Sequence, residues 1–452
     1  CIVTMSVLGR IAMLGGATVA GVAAYAQQIQ QTSCKAEASG DHHNVLIIGA
    51  GTGGVTVATQ LMRDSRKPTG MQVTMVEPAK THYYQPMWTM IGGGMGFTKE
   101  QSGRPMSDIV PSNVNHVQEG VKTFQPEKNA VVLESGKTLT YDFLVMSPGL
   151  KMDWDKIQGL RAAIDDPACP VASIYDGSTA EKTDRIMKEF KGGEALFTQP
   201  ACPIKCGGAP QKVMWLQESI FRERGIRGAT NVSYFTNLPA MFHVKKYGDA
   251  LNAMAVEKNV NAHFQTDLIK IDKDKRIATF QHLETKEVTT KKFDVLHVTP
   301  YMSPPDVVKK SPLAGAAGFI DVDKVTLQHT KFDNVFALGD ASSLPTSKTA
   351  ASITMQAPVL VSNLIHKMKG EEMTGKYDGY TSCPILVGDG KLMLAEFLYD
   401  LKVQETFPWD QSKPSVFFYY VKRDFFPWVY WNSFVKGTWY GKNTWIYPSA
   451  AK

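Results

Sequence analysis

The sequence predicts an α/β chain of two Rossmann-like dinucleotide-binding units, closed by a tail of different texture. Three observations carry this. The apolar run Val45-Leu-Ile-Ile48 leads into Gly49-x-Gly51-x-x-Gly54. A second strand–loop–helix entry, residues 194–224, repeats the layout but places Cys202 and Cys206 in its loop. Beyond about residue 376 the chain is crowded with aromatics, as in Phe417-Phe-Tyr-Tyr420 and Phe425-Phe-Pro-Trp428.

Residues 45–48 read as a buried parallel strand, because a short apolar run before glycines suits a strand covered on both faces. A helix over 55–62 and the strand Val73-Thr-Met-Val76, ending at Glu77, complete a βαβ unit. Residues 131–133 and 138–141 form a small meander, and Phe143-Leu-Val-Met146 runs into Ser147-Pro-Gly149. The stretch 151–174 reads as irregular. A helix over 177–191, a strand over 194–198, a helix over 211–224 and a strand over 232–235 form the second unit. Residues 293–299 return toward the first unit. Val335-Phe-Ala-Leu338 is a further apolar strand ending at Gly339-Asp340, and 352–367 is a helix. The expected divisions are a leader and linker over 1–43, a nucleotide-binding unit over 44–152 and 301–375, a second unit over 153–300, and the tail over 376–452.

At 452 residues, with 43% hydrophobic and 20% charged side chains, the chain suits two or three globular domains. The net charge of +6 fits ordinary solubility or attraction to an anionic surface. No dense basic stripe or zinc-finger spacing is present, which excludes a nucleic-acid module. Six cysteines, at 1, 34, 169, 202, 206 and 383, are too scattered for a disulfide framework. Cys202 and Cys206 have no second pair to complete the four ligands of a structural zinc site. Residues 2–26 are apolar, with Arg10 and no acid before Glu37. They read as an organelle-targeting segment, with a membrane anchor or a secretory signal as alternatives.

The fingerprint has a physical purpose. Gly49, Gly51 and Gly54 allow a tight turn and close approach of a pyrophosphate to a helix N-terminus, with Thr52 and Gly53 between them. Glu77 stands about 20 residues on, where a carboxylate accepts from ribose hydroxyls. Gly339-Asp340 at a second strand end, with the turn at Gly149, points to FAD rather than NAD. Cys206 lies beside Lys205 at the start of a helix, a setting that favours thiolate. Cys383 lies in the turn-rich Asp378-Gly-Tyr-Thr-Ser-Cys-Pro384. Taken singly, each cysteine also fits a buried, inert thiol. Lys348 would stabilise negative charge on a reduced flavin ring, or be a solvated lysine.

Longer strings carry a family resemblance. They are His82-Tyr-Tyr-Gln-Pro86, Ser102-Gly-Arg-Pro105, Lys205-Cys-Gly-Gly-Ala-Pro-Gln-Lys212, Leu296-His-Val-Thr-Pro300 with Met302-Ser-Pro-Pro-Asp306, Leu344-Pro-Thr-Ser-Lys-Thr-Ala350, Tyr377-Asp-Gly-Tyr-Thr-Ser-Cys-Pro384 and Leu394-Ala-Glu-Phe397. On these the chain resembles the eukaryotic, mitochondrial type of sulfide:quinone oxidoreductase, over about residues 44–445. The resemblance implies a two-domain flavoprotein with Cys206 and Cys383 as its redox pair. It implies flavin contacts at Thr52, Gly53, Glu77, Gln85, Val121 and Lys348. It also implies hydrogen sulfide as substrate, ubiquinone as electron acceptor and a small sulfur acceptor such as glutathione or sulfite. Ala341 departs from the pattern, since some relatives have a cysteine there.

The tail, with Lys422, Arg423, Lys436 and Lys442 among its aromatics, suits a bilayer interface, or a dimer or domain contact. The expected location is the mitochondrial inner membrane, peripheral or monotopic, possibly as a homodimer. Two other functions fit less of the sequence. A type II NADH:quinone oxidoreductase needs a second glycine fingerprint, which residues 201–210 lack. A non-catalytic redox-sensing flavoprotein leaves both thiols without a purpose.

Overall fold

The computed structural model describes residues 42–451. The leader expected over 1–43, with Cys1 and Cys34, falls almost wholly outside the described residues. The chain enters through β1 (Asn44–Ile48), α1 (Thr52–Arg63) and β2 (Gln72–Val76), then adds β3 (Asn115–Val117) and β4 (Phe143–Met146). A second layer set follows: β5 (Val171–Ala172), α2 (Gly177–Glu189), β6 (Gly193–Gln199), α3 (Ala209–Glu223), β7 (Thr230–Thr236), α4 (Lys245–Glu257), β8 (Asn261–His263) and β9 (Val295–His297). The chain then supplies β10 (Val335–Ala337), α5 (Ala350–Met368) and the hairpin β11 (Thr381–Gly388) and β12 (Lys391–Phe397).

Two five-stranded parallel sheets result, ordered β10-β4-β1-β2-β3 and β5-β9-β6-β7-β8. Their strands are apolar on both faces because both are covered, in the second sheet by helices on the Phe197 face and largely by a small antiparallel sheet on the Leu196 face, and Ile47, Leu144, Phe197 and Leu296 are fully buried. The hairpin packs against both hydrophobic cores. Ile385 and Val387 join the second, Leu386 and Leu392 the first, by the two-residue alternation of a strand.

Three expectations need correction, and two features were not foreseen. The stretch 151–174 is not irregular: it holds a strand Lys151–Asp153, a helix Leu160–Asp165 and β5. These pieces are too short to show a period, and pairing with distant strands creates them. Residues 293–299 do not return to the first sheet; β9 lies inside the second, between β5 and β6. The crossing is made by Tyr301–Ser303, antiparallel to Lys151–Asp153. Cys383 is not in a turn but within β11, where Pro384 is tolerated in a two-stranded ladder. Finally, α4 and an antiparallel sheet of Thr266–Asp272, Ile277–His282 and Val288–Lys292 went unread in the sequence.

The tail winds through Val416–Tyr420, Val421–Phe425, Phe426–Val429 and Tyr430–Phe434, alternating α and wider π turns. Among the described residues no helix is long and apolar enough to cross a membrane.

Candidate active site

The fingerprint turn is closed by its backbone. Gly49 has φ of 93°, and a Cβ there would stand 2.3 Å from the Ser147 carbonyl oxygen. The turn therefore presses β1 against the β4 exit, with Gly54 packed on the Gly49 carbonyl. Glu77 is oriented by the backbone: its two carboxylate oxygens accept the Ala50 and Ala79 N–H groups, each at 2.9 Å. Its remaining lone pairs are free for hydroxyl donors.

A buried chain of hydrogen bonds fixes Thr52. His82 Nδ1 lies 2.9 Å from the Ala50 carbonyl oxygen, so it must donate there. Burial lowers the His82 pKa, so the ring is neutral and its Nε2 accepts. The Tyr430 hydroxyl fills that role at 2.6 Å and accepts in turn from Thr52 Oγ1 at 2.8 Å. A tail residue thus completes the fingerprint loop.

The loop opens into a cavity of about 730 Å³. Gly51, Thr52, Gly53, Glu77, Gln85 and Gly149 line one part, and Gly339, Asp340, Lys348 and Cys206 another. Tyr175 also faces it, 6% exposed, and its hydroxyl has no hydrogen-bond partner. The β1–α1 turn suits a pyrophosphate, the Glu77 carboxylate ribose hydroxyls and the Lys348 ammonium a reduced flavin ring, while the unpartnered Tyr175 hydroxyl is left to pair with the group. The residues fit FAD. Gly49 and Gly54 shape the turn from behind without lining the cavity. Val121 does not line it: it starts the strand Val121–Gln125 of a small sheet and packs on the first core. Its expected flavin contact is not among those the structure brings together.

Lys348 is half-buried, and burial pulls its ammonium down to about 8 against the opposing pull of Asp340. Burial raises the Asp340 carboxyl in turn, with Lys348 and Lys205 opposing. Lys348 also anchors the thiol loop, since its carbonyl accepts the Cys206 N–H at 2.7 Å. Lys205 does not face the Cys206 sulfur; its Nζ donates to Gln85 Oε1 at 2.8 Å.

The two sulfurs meet at this end of the cavity. Cys206 Sγ and Cys383 Sγ are 3.7 Å apart, although 177 positions separate them in the chain. Cys206 holds φ of 53°, a left-handed conformation that a non-glycine residue adopts only when its surroundings impose it. Cys383 is 2% exposed. Gly208 lets them approach: a Cβ there would lie 2.5 Å from Cys383 Sγ. The cation that serves the pair is Lys212, one turn into α3, with Nζ 3.3 Å from Cys206 Sγ. The Cys383 thiol, donating to Cys206, pulls the Cys206 pKa well down, and Lys212 and Lys422 add to this against burial. The same contact and burial raise the Cys383 thiol, so of the two sulfurs Cys206 is the more acidic. Sequence reasoning missed Lys212, Lys422 and Tyr430. Lys212 could have been found, because the first turn of the helix faces the loop before it; the other two come from the tail.

Cys202 lines a separate cavity of about 600 Å³ with His243 and Ser347. Burial pushes its thiol up to about 11, and it accepts the Met302 N–H at 3.4 Å. Cys169 is buried, and burial raises its thiol too.

Residues 43–182 match the model of the pyridine nucleotide-disulphide oxidoreductase family. The mitochondrial sulfide:quinone oxidoreductase of Dictyostelium discoideum is 45% identical over 406 residues, 89% of this chain and 88% of that protein. The mitochondrial sulfide:quinone oxidoreductase of Schizosaccharomyces pombe is 41% identical over 440 residues, 93% of this chain and 96% of that one. The chain belongs to the sulfide:quinone oxidoreductase family. Members are FAD-dependent oxidoreductases, and the family reaction is sulfide oxidation with a quinone as electron acceptor. The crystal structure of the Aquifex aeolicus sulfide:quinone oxidoreductase shares the fold, with a TM-score of 0.72 at 19% identity, covering 86% of this chain and 91% of that one. The NADH-dependent and non-catalytic readings are not favoured by this membership.

Proposed function

We infer that the protein oxidises hydrogen sulfide through a Cys206–Cys383 redox pair and delivers the electrons to ubiquinone. One observation carries the reading: two sulfurs remote in sequence stand 3.7 Å apart where the fingerprint cavity ends. Thr52, Gly53, Glu77, Gln85, Gly149, Asp340 and Lys348 would hold FAD along that cavity, from 44–152 and 301–375. FAD, when bound there, supplies two-electron acceptance and onward delivery to the quinone.

The residues do the sulfur chemistry. Starting from the bridged pair, hydrosulfide attacks the Cys383 sulfur. The S–S bond breaks, Cys383 keeps the incoming sulfur as a persulfide, and Cys206 leaves as thiolate. That direction is the one in which a cation meets the leaving group, since Lys212 Nζ stands 3.3 Å from Cys206 Sγ and a stabilised thiolate departs more readily. Lys212 holds the departing charge. A small nucleophile such as glutathione or sulfite then takes the outer sulfur and leaves Cys383 as thiolate. The two thiolates give up two electrons as the bridge closes.

The tail is assigned to the bilayer, where the quinone dissolves. Trp409, Phe417, Tyr420, Trp428, Trp445 and Ile446 are exposed, and Arg423 lies 5.0 Å from the Tyr420 ring centroid. Aromatics interleaved with cations suit the headgroup level. The location that follows is the mitochondrial inner membrane, without a spanning helix among the described residues. Liposome flotation tests this: recovery as a soluble dimer with the aromatic face covered would reassign that face to a second copy.

Cys206→Ser and Cys383→Ser each retain FAD but lose bleaching of the flavin absorbance by sulfide. Normal sulfide turnover in either variant overturns the two-thiol reading.

A further inference from the structure

Cys206 precedes α3 and Cys383 lies on β11, so their spacing depends on how that strand is held along that helix. The two elements touch at both ends. At the near end Gly208 meets the Cys383 sulfur. At the far end Gly388 backs onto the helix, where a Cβ would stand 2.8 Å from the Trp215 carbonyl oxygen.

Just past Gly388, the hairpin tip is tied down by charge. Asp389 Oδ1 accepts from Ser219 Oγ at 2.9 Å and from Arg222 Nη2 at 2.6 Å, while Oδ2 accepts from Lys258 Nζ at 2.8 Å. The Asp389 N–H donates back to Ser219 Oγ at 3.0 Å. Beneath these cations lies Glu218, whose side chain is 1% exposed, paired with Arg222, Arg227 and Lys258 at 2.9, 3.3 and 3.5 Å. Removing one partner of so deeply buried an ion pair is costly, so those cations are held in place. Arg222 and Lys258 are therefore fixed from below and present a rigid socket to Asp389. The tip also needs a particular residue, because Asp389 has φ of 53°, a conformation asparagine and aspartate tolerate. The β11–β12 ladder slips between Leu386 and Gly388, so strand pairing alone does not carry the register from tip to thiol.

We propose that Asp389 is a positioning residue for the thiol pair: the ion-pair socket at the hairpin tip holds β11 along α3 and so sets the Cys206–Cys383 spacing at which the bridge closes. This rests on the reading of those two cysteines as the redox pair. Closing the bridge brings the sulfurs from 3.7 Å to the about 2.05 Å of a disulfide. A hairpin free to lift would lower the effective concentration of one thiol for the other, and the bridge would open more readily.

The test uses the holoenzyme and two variants. Asp389→Asn keeps the shape and the backbone preference but removes the charge; Arg222→Gln removes the facing cation. Each protein is equilibrated anaerobically with mixtures of glutathione and glutathione disulfide, quenched in acid, and assayed by mass for the linked Cys206–Cys383 peptides. In that exchange the two protein thiols lose two electrons and two protons, and glutathione disulfide becomes two glutathione thiols. Both variants are expected to need about a tenfold more oxidising mixture for half linkage, about 30 mV, with FAD still bound. Midpoints within twofold of wild type in both variants overturn the proposal, even if their melting temperatures fall. A wild-type holoenzyme that yields no linked peptide at any ratio overturns the redox-pair reading itself, and the positioning role with it.

Discussion

Gly208→Ala places a methyl group where the Cys383 sulfur already lies. The new Cβ would be 2.5 Å from that sulfur. Non-bonded heavy atoms settle at about 3.5–4.0 Å, so roughly 1 Å of movement must be found. The backbone does not resist the change, because Gly208 has φ of −92°, open to alanine. Nor is there room on the other sides: Ile385 Cγ1 stands at 3.6 Å and Phe242 Cε2 at 3.7 Å from the same point. The sulfur must therefore shift, or β11 must lift from α3. Overpacking of this kind costs about 1–3 kcal/mol, offset by about 0.4–1 kcal/mol from the stiffer unfolded chain. The variant stays folded. Its chemistry suffers more, since a misplacement of about 1 Å at reacting atoms costs about 100-fold in rate. Stopped-flow bleaching of the flavin by sulfide should slow by about that factor, at unchanged FAD stoichiometry and slightly lower urea midpoint. A variant that bleaches at the wild-type rate would show that the place of the Cys383 sulfur does not govern the reaction.

Tyr430→Phe removes the hydroxyl that joins Thr52 to His82 and leaves the buried His82 Nε2 without a donor. An orphaned buried acceptor costs about 1–3 kcal/mol of stability, so the urea midpoint should fall, and with Thr52 no longer held FAD should be lost more readily on dilution, measured by flavin fluorescence; unchanged retention would refute the link. Lys422 is 4% exposed with one weak contact, Nζ to the Tyr84 hydroxyl at 3.5 Å. Burial, then repulsion from Lys212, pulls its pKa from 10.5 to about 7, against the attraction of both cysteines. Between those two values the unfolded chain binds the extra proton, so stability rises with pH across that window. Urea midpoints from pH 6.5 to 9.5 should rise in wild type and flatten in Lys422→Met, which should also be the more stable at pH 7. Parallel pH profiles for the two proteins would refute this.

The flavin-binding half of the fold is legible because its signals are local. A run such as Val45-Leu-Ile-Ile48 followed by glycines states strand, turn and helix within a dozen residues, and Glu77 adds the next strand end. The second sheet is less legible because β5 has only two residues and exists through pairing with β9. Pro384 and Gly379 suggest a turn around Cys383, yet tertiary pairing with Ala395 makes it a strand. The site divides in the same way. Cys206, Glu77 and Asp340 lie in recognisable loops. Lys422 and Tyr430 belong to a stretch whose composition speaks of surface, and only the folded chain turns those two inward, Tyr430 to 1% exposure. Family strings identified Cys383, whereas its partnership with Cys206 has no trace in spacing or period.

The hydrogen bond from Thr52 to Tyr430 spans 378 positions. Synthesis runs from the N-terminus, so the glycine turn is made long before the tyrosine that steadies it. A chain still emerging from the ribosome has the nucleotide loop but not its latch. Tight cofactor loading is therefore expected only once residue 430 has folded back onto the loop. By reciprocal linkage a bound cofactor is expected to favour the docked position of Tyr430, and a chain cut short before residue 430 to lose its prosthetic group before its sheets.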